Sequence, residues 1–160
     1  MAATHSPQGV DELDLRLLAA FSARPDESIK QLAAALGIPA STCAFRVRSL
    51  RARGVITGLR VELDPAALGS PVQAMIRVRL ANHGKSGVDA LFDALTVTRG
   101  VLQVFHIAGA DDFIVHVAVP DAVALRDIVL DHITVHDVVR ATETQLVFER
   151  RAGVGVLAQQ

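Results

Sequence analysis

A chain of 160 residues that is 51% hydrophobic can bury a core, which excludes global disorder. Six Phe with no Tyr or Trp argue against a surface that stacks single-stranded bases, one cysteine excludes an intrachain disulfide, and no run of about 18 apolar residues is present to span a membrane. The net charge of −1 hides an uneven distribution, because residues 40–60 hold five arginines and no acid.

Residues 1–10 lack a basic stretch followed by an apolar run, so they read as a short disordered arm rather than a secretory signal. With the single cysteine, this suits a cytoplasmic protein. From Asp11 to Ala23, Leu13, Leu17, Leu18 and Phe21 share one helical face, and Asp11, Glu12 and Asp14 sit where the helix dipole favours acids. Ser28 and Gln31 have the spacing of a capping box and open a second helix with Ile29, Leu32, Ala33 and Leu36 inward. Gly37 stops it as a left-handed cap.

A third helix is expected from about Pro39 to Arg53, ended by Gly54. Cys43, Val47 and Leu50 share its apolar side, which favours a buried structural cysteine over a redox sensor. Ser41, Thr42, Phe45, Arg48 and Ser49 point the other way, with Arg46, Arg51 and Arg53 along the edge. Val55–Leu63 alternates loosely, as a strand or wing would. A short helix pair whose second member is rich in arginine suits entry into a DNA groove. Arg48 is placed to contact a guanine edge. Arg46, Arg51, Arg53 and Arg60 are placed to hold phosphates, although Arg46 has an alternative as a brace to a carboxylate on the first helix. Ser41 and Thr42 either meet the DNA or cap the helix. Phe45 either packs on a thymine methyl or covers a neighbouring chain.

Residues 65–71 are rich in turn formers and mark a hinge between a head of residues 11–64 and a second domain of residues 72–151, with a tail at 152–160. Beyond the hinge the period becomes two. The expected order is a strand from Val72, a helix from about Ser86, strands at Val101–Ala108 and Phe113–Val119, a helix after Pro120-Asp121, and a strand over roughly Val138–Glu149. This β-α-β-β-α-β order predicts an α+β, ferredoxin-like domain with both helices on one face of an antiparallel sheet. The opposite face is expected to carry Met75, Arg77, Leu102, Val104, His106, Ile114, His116 and Ala118. Five of these eight are apolar, so the face needs a partner, and a second copy of the sheet is the simplest one.

The chain resembles the Lrp/AsnC (feast/famine) family of transcription regulators. The residues that carry the likeness are Leu13-Asp14 with Leu17-Leu18; Leu32-Ala33 and Leu36-Gly37-Ile38; Arg46-Val47 with Leu50; Gly54-Val55-Ile56; Leu63-Asp64-Pro65 with Leu68-Gly69; and Gly109 with Asp112-Phe113. The resemblance implies a winged helix-turn-helix head and a RAM-type regulatory domain, dimers often assembled into tetramers or octamers, and a small molecule, commonly an amino acid, bound between regulatory domains. It implies no enzyme activity and no cofactor. A dimer of such heads would meet a roughly palindromic operator on double-stranded DNA. Sirohaem decarboxylases share the architecture and form an alternative, with His106 or His116 then catalytic; a sensing module with incidental DNA affinity is another.

In similar proteins the loop with the Gly-x-x-Asp pattern lines the effector pocket, here Gly109, Ala110, Asp111 and Asp112. A carboxylate beside free amides suits a zwitterion, whereas the bland reading makes both acids turn residues. Thr142, Glu143 and Thr144 on the last strand are further candidates. The chain departs from its relatives at Pro39, where a capping serine is usual, at Phe45, where a polar residue is common, and at Asp111, where an aromatic is common. His106 and His116 are expected as cross-strand neighbours. The remaining histidines (His5, His83, His132, His136) are scattered, and no set with metal-ligand spacing is evident.

Overall fold

The computed structural model describes residues 9–81, 84–153 and 155–157. The expected N-terminal arm up to Gln8, with His5, and also His83 lie outside these residues. The chain forms two compact units, one reaching Val61 and including the segment from Arg151, the other spanning Glu62–Arg150.

Among the described residues the first unit contains three helices: α1 (Glu12–Ala23), α2 (Ile29–Leu36) and α3 (Ala40–Ala52). Asp11 and Asp14 form a reciprocal capping box at the start of α1, and Ser28 and Gln31 form another at α2. Gly37 ends α2 at φ 67° and ψ 33°, a left-handed conformation that glycine adopts without a Cβ clash. Leu17, Phe21, Leu32, Ala33, Cys43, Val47 and Leu50 form the head's core. Pro39 is the N-cap of α3 and supplies no side-chain hydrogen bond, and Ser41 does not replace it. Residues 55–63 form no strand, contrary to expectation. Among the described residues the head contains no other strand to pair with them, and a lone strand leaves its backbone groups without a ladder. The segment instead turns back on α3, with the Val55 and Ile56 amides donating to the Leu50 carbonyl.

The second unit opens with a turn in which Ala66 N donates to Asp64 Oδ1 and Ser70 N donates to Pro65 O. There follow β1 (Val72–Leu80), α4 (Lys85–Thr96), β2 (Val101–His106), β3 (Phe113–Val119), α5 (Ala122–Asp127) and β4 (Val139–Leu146). The helix α5 runs on as π-helical turns over Ile128–Ile133, with Thr134 N donating to Val129 O. All pairings are antiparallel and the strand order is β2-β3-β1-β4, the ferredoxin-like arrangement. Ala74, Ile76 and Val78 of β1 and Phe113, Val115 and Val117 of β3 pack against Val88, Leu91 and Leu95 of α4 and Ile128 and Ile133.

The opposite face differs from the expected one along β2. A register shift between Val101 and Gln103 inserts one extra residue, so Gln103 opposes His116 and Phe105 opposes Ile114. A one-residue shift moves every later side chain to the other face. Val104 therefore packs on the helix-side core, and His106 opposes and stacks on Phe113 with ring centroids 4.6 Å apart. Leu102 sits in the irregularity itself. His106 and His116 are not neighbours across one face. The open face consists of Gln73, Met75, Arg77 and Arg79 on β1, Gln103 and Phe105 on β2, and Ile114, His116 and Ala118 on β3. Glu143 and Gln145 of β4 lie beside Arg77 and Met75.

Candidate functional site

Helix α3 presents three distinct flanks. Cys43, Val47 and Leu50 are buried, and burial pushes the Cys43 thiol above its ordinary pKa. Ser41, Phe45, Arg48 and Ala52 recur at helical spacing and are exposed, Phe45 to 68%. The Phe45 ring lies outside the head's core. The third flank faces the start of α1, where Thr42, Phe45 and Ser49 line a shallow depression with Asp14, Arg46 and Arg53.

The arginines divide accordingly. Arg46 Nη1 donates to Asp11 Oδ2 at 2.6 Å and to Asp14 Oδ1 at 2.8 Å. Arg53 Nη2 donates to Asp14 Oδ2 at 3.1 Å, and its Nη1 donates to the Gly9 carbonyl. The hydrogen bond from Arg46, then the Asp14 amide, holds the Asp11 carboxyl below the usual range. Of the two roles open to Arg46, the geometry shows the brace, and Arg53 shares it. Arg48, Arg51 and Arg60 are exposed and make no ion pair among the described residues.

In the second unit, the Asp111 carboxylate is 6% exposed and lies between two arginines. Arg77 Nε donates to Oδ2 at 2.6 Å, and Arg79 Nε donates to Oδ1 at 2.8 Å. These bonds, Arg79's first, lower the Asp111 pKa. Glu143 adds a looser contact to Arg77 at 3.3 Å. Asp112 acts on the backbone: its Oδ2 accepts from Leu80 N at 2.7 Å, its N donates to Val78 O, and its O accepts from Ile107 N. It thereby closes the loop from Ile107 to Asp112. Gly109 and Ala110 are exposed at the loop's tip, Gly109 at φ 138° with nothing near an added Cβ. The three β4 candidates do not share a face. Glu143 lies on the open face beside Arg77, whereas Thr142 and Thr144 pair with the core-facing Val78 and Ile76.

His116 is buried on the open face, its Nε2 3.0 Å from Gln73 Oε1. Burial, then the positive charge of Arg150, lowers its pKa. Among the described residues no group of three or more His, Cys, Asp or Glu is arranged to hold a metal ion, and no helix is long and apolar enough to cross a membrane.

Residues 10–57 match a winged helix-turn-helix DNA-binding model, and residues 73–153 match the Lrp/AsnC ligand binding domain. The chain belongs to the Lrp/AsnC family. The HTH-type transcriptional regulator AldR of Mycobacterium tuberculosis is 38% identical over 147 residues, covering 92% of this chain and 82% of that protein. The AldR of Mycolicibacterium smegmatis is 36% identical over 148 residues, covering 92% and 86%. The crystal structure of MtbAldR matches with a TM-score of 0.81 at 34% identity, covering 96% of this chain and all of that one. Escherichia coli AsnC shares the fold at 24% identity, with a TM-score of 0.78 over 90% of this chain and 95% of that one. This Lrp/AsnC chain is thus a DNA-binding transcriptional regulator with a ligand-binding second domain, not a sirohaem decarboxylase on the same architecture.

Local sequence reasoning did not find Arg79 or the pairing of Arg53 with Asp14. The signal for Arg79 was the alternation of β1, which sets Arg77 and Arg79 on one face beside an acid-bearing loop.

Proposed function

We propose that two copies of this chain pack the open faces of their sheets together and present two α3 helices to successive major grooves of a roughly palindromic operator. In each head Arg48 reads a base edge, Ser41 and Phe45 flank it, and Arg51 and Arg60 hold phosphates. The supporting observation is the division of α3, in which its unpaired arginines lie away from the flank that is tied to α1. Binding of the wild-type protein to duplexes selected from a random library tests this reading. Affinity should fall steeply with salt, and the absence of any salt-dependent binding would sink it.

For the dimer, the support is Met75, Phe105 and Ile114 on the sheet face opposite the one on which α4 and α5 pack. Tetramers or octamers would extend the same assembly, which acts in the cytoplasm.

The effector is an amino acid held at the loop from Ile107 to Asp112. Relatives by fold include a Neisseria meningitidis regulator solved as an L-Met complex. In this chain the exposed amides of Gly109 and Ala110 are the available contacts. The Asp111 carboxylate is occupied by Arg77 and Arg79, so it orders the loop instead of receiving the ammonium group. A thermal-shift screen against the amino acids identifies the effector, because a ligand that binds only the folded state raises Tm. No shift with any of them would remove this part of the reading.

A further inference from the structure

Four charged groups and one carbonyl tie α3 to the start of α1. Asp14 is 4% exposed, and its two oxygens take Arg46 and Arg53, which lie 32 and 39 positions away. The two arginines are seven residues apart, two turns of α3, and therefore lie on one flank. Asp11 takes Arg46 from the other side while its Oδ1 accepts from Asp14 N at 2.7 Å. Gly9, at φ 86°, closes the set through its carbonyl, and a Cβ there would stand 3.2 Å from Arg53 Nη1. A helix gripped at two points on one flank cannot roll about its own axis, and roll decides which side chains face outward.

We propose that Asp14 is the positioning residue of the DNA head: by holding Arg46 and Arg53 it fixes the roll of α3 so that Ser41, Phe45 and Arg48 face the groove. Arg46 and Arg53 are thereby internal struts, and the phosphate contacts fall to Arg51 and Arg60. The inference rests on the DNA-binding reading of α3 and separates from it by experiment. If the charge of Asp14 mattered only through long-range electrostatics, removing it would strengthen DNA binding. If Asp14 positions the helix, removing it weakens specific binding even though the head becomes more positive.

The test compares wild type, Asp14→Asn, Arg46→Gln and Arg51→Gln on a duplex selected from a random library and on a scrambled duplex of the same composition. Circular dichroism checks the fold. Asp14→Asn is expected to lose roughly tenfold or more in preference for the selected duplex. Arg51→Gln should flatten the salt dependence by about one phosphate, whereas Arg46→Gln should leave the slope at the wild-type value. The proposal is overturned if Asp14→Asn keeps or improves the preference, or if Arg46→Gln flattens the slope as Arg51→Gln does. Should Asp14→Asn fail to fold, Arg46→Lys keeps the charge but cannot span both carboxylates. It should lower the preference at an unchanged slope, and an undiminished preference would overturn the proposal. Failure of the wild type to bind any duplex would overturn the DNA reading itself, and this inference with it.

Discussion

Arg79 reaches Asp111 across 32 positions, its Nε 2.8 Å from Oδ1, and Arg77 closes on the other carboxylate oxygen. The contact joins β1, an inner strand of the sheet, to the loop after β2. Its lowered pKa means that the folded state holds this carboxylate ionised more firmly than the unfolded chain does. A depressed folded value contributes stability that is present above the unfolded pKa and is lost as pH falls through the folded one. Asp111→Asn should therefore lower Tm near neutral pH. The gap from wild type should narrow once pH drops below the ordinary Asp value of 3.8. Thermal unfolding at a series of pH values checks this, and a gap independent of pH would contradict it.

His116 has the same sign of pH dependence, but in its case the neutral form is the one the fold favours. Burial lowers its pKa, so below the ordinary value of 6.5 the unfolded chain takes up a proton that the folded chain resists. Wild-type stability should fall as pH drops below that value, until the depressed folded value is reached. The groups that bear on the ring are Arg150, itself paired with Glu62, and the uncharged Gln73. His116→Gln should show a shallower loss over the same range in urea titrations.

The open face should report assembly directly. Ile114 and Met75 are half-buried there, on the side of the sheet away from α4 and α5. A Glu at position 114 would place a charge in an apolar contact and should dissociate the dimer. Light scattering after size exclusion is expected to show a smaller species for Ile114→Glu. A surface substitution on α4 such as Asp89→Ala should leave the mass unchanged.

The helix order, both Ser28 and Gly37 caps and the β-α-β-β-α-β order were legible because each has a local signal, in spacing, cap chemistry or period. The face of β2 was not. Val-Leu-Gln-Val-Phe-His alternates acceptably in either register, and the extra residue after Val101 shows only when the strand is laid beside β3. The π-helical turns over Ile128–Ile133 likewise lack a local mark. The arginines of α3 were legible as a cluster, and the brace from Arg46 to the first helix as one of its two roles, but not the share of Arg53, whose carboxylate partner stands on α1, 39 positions away. The acids of α1 read locally as partners of the helix dipole, and they serve both the cap and the brace. Asp111 posed the same difficulty, since its partners on β1 lie 34 and 32 positions away in sequence.

Entry of the outward face of α3 into the groove is decided at Arg48, the exposed arginine in the middle of that face. Specific and non-specific affinities of wild type and Arg48→Ala should be measured on the selected and scrambled duplexes across a salt series. The substitution should cost about 1–3 kcal/mol on the selected duplex and much less on the scrambled one. Equal losses on both, or no loss on either, would contradict a base-reading role for Arg48 and with it the assignment of this helix face to the groove.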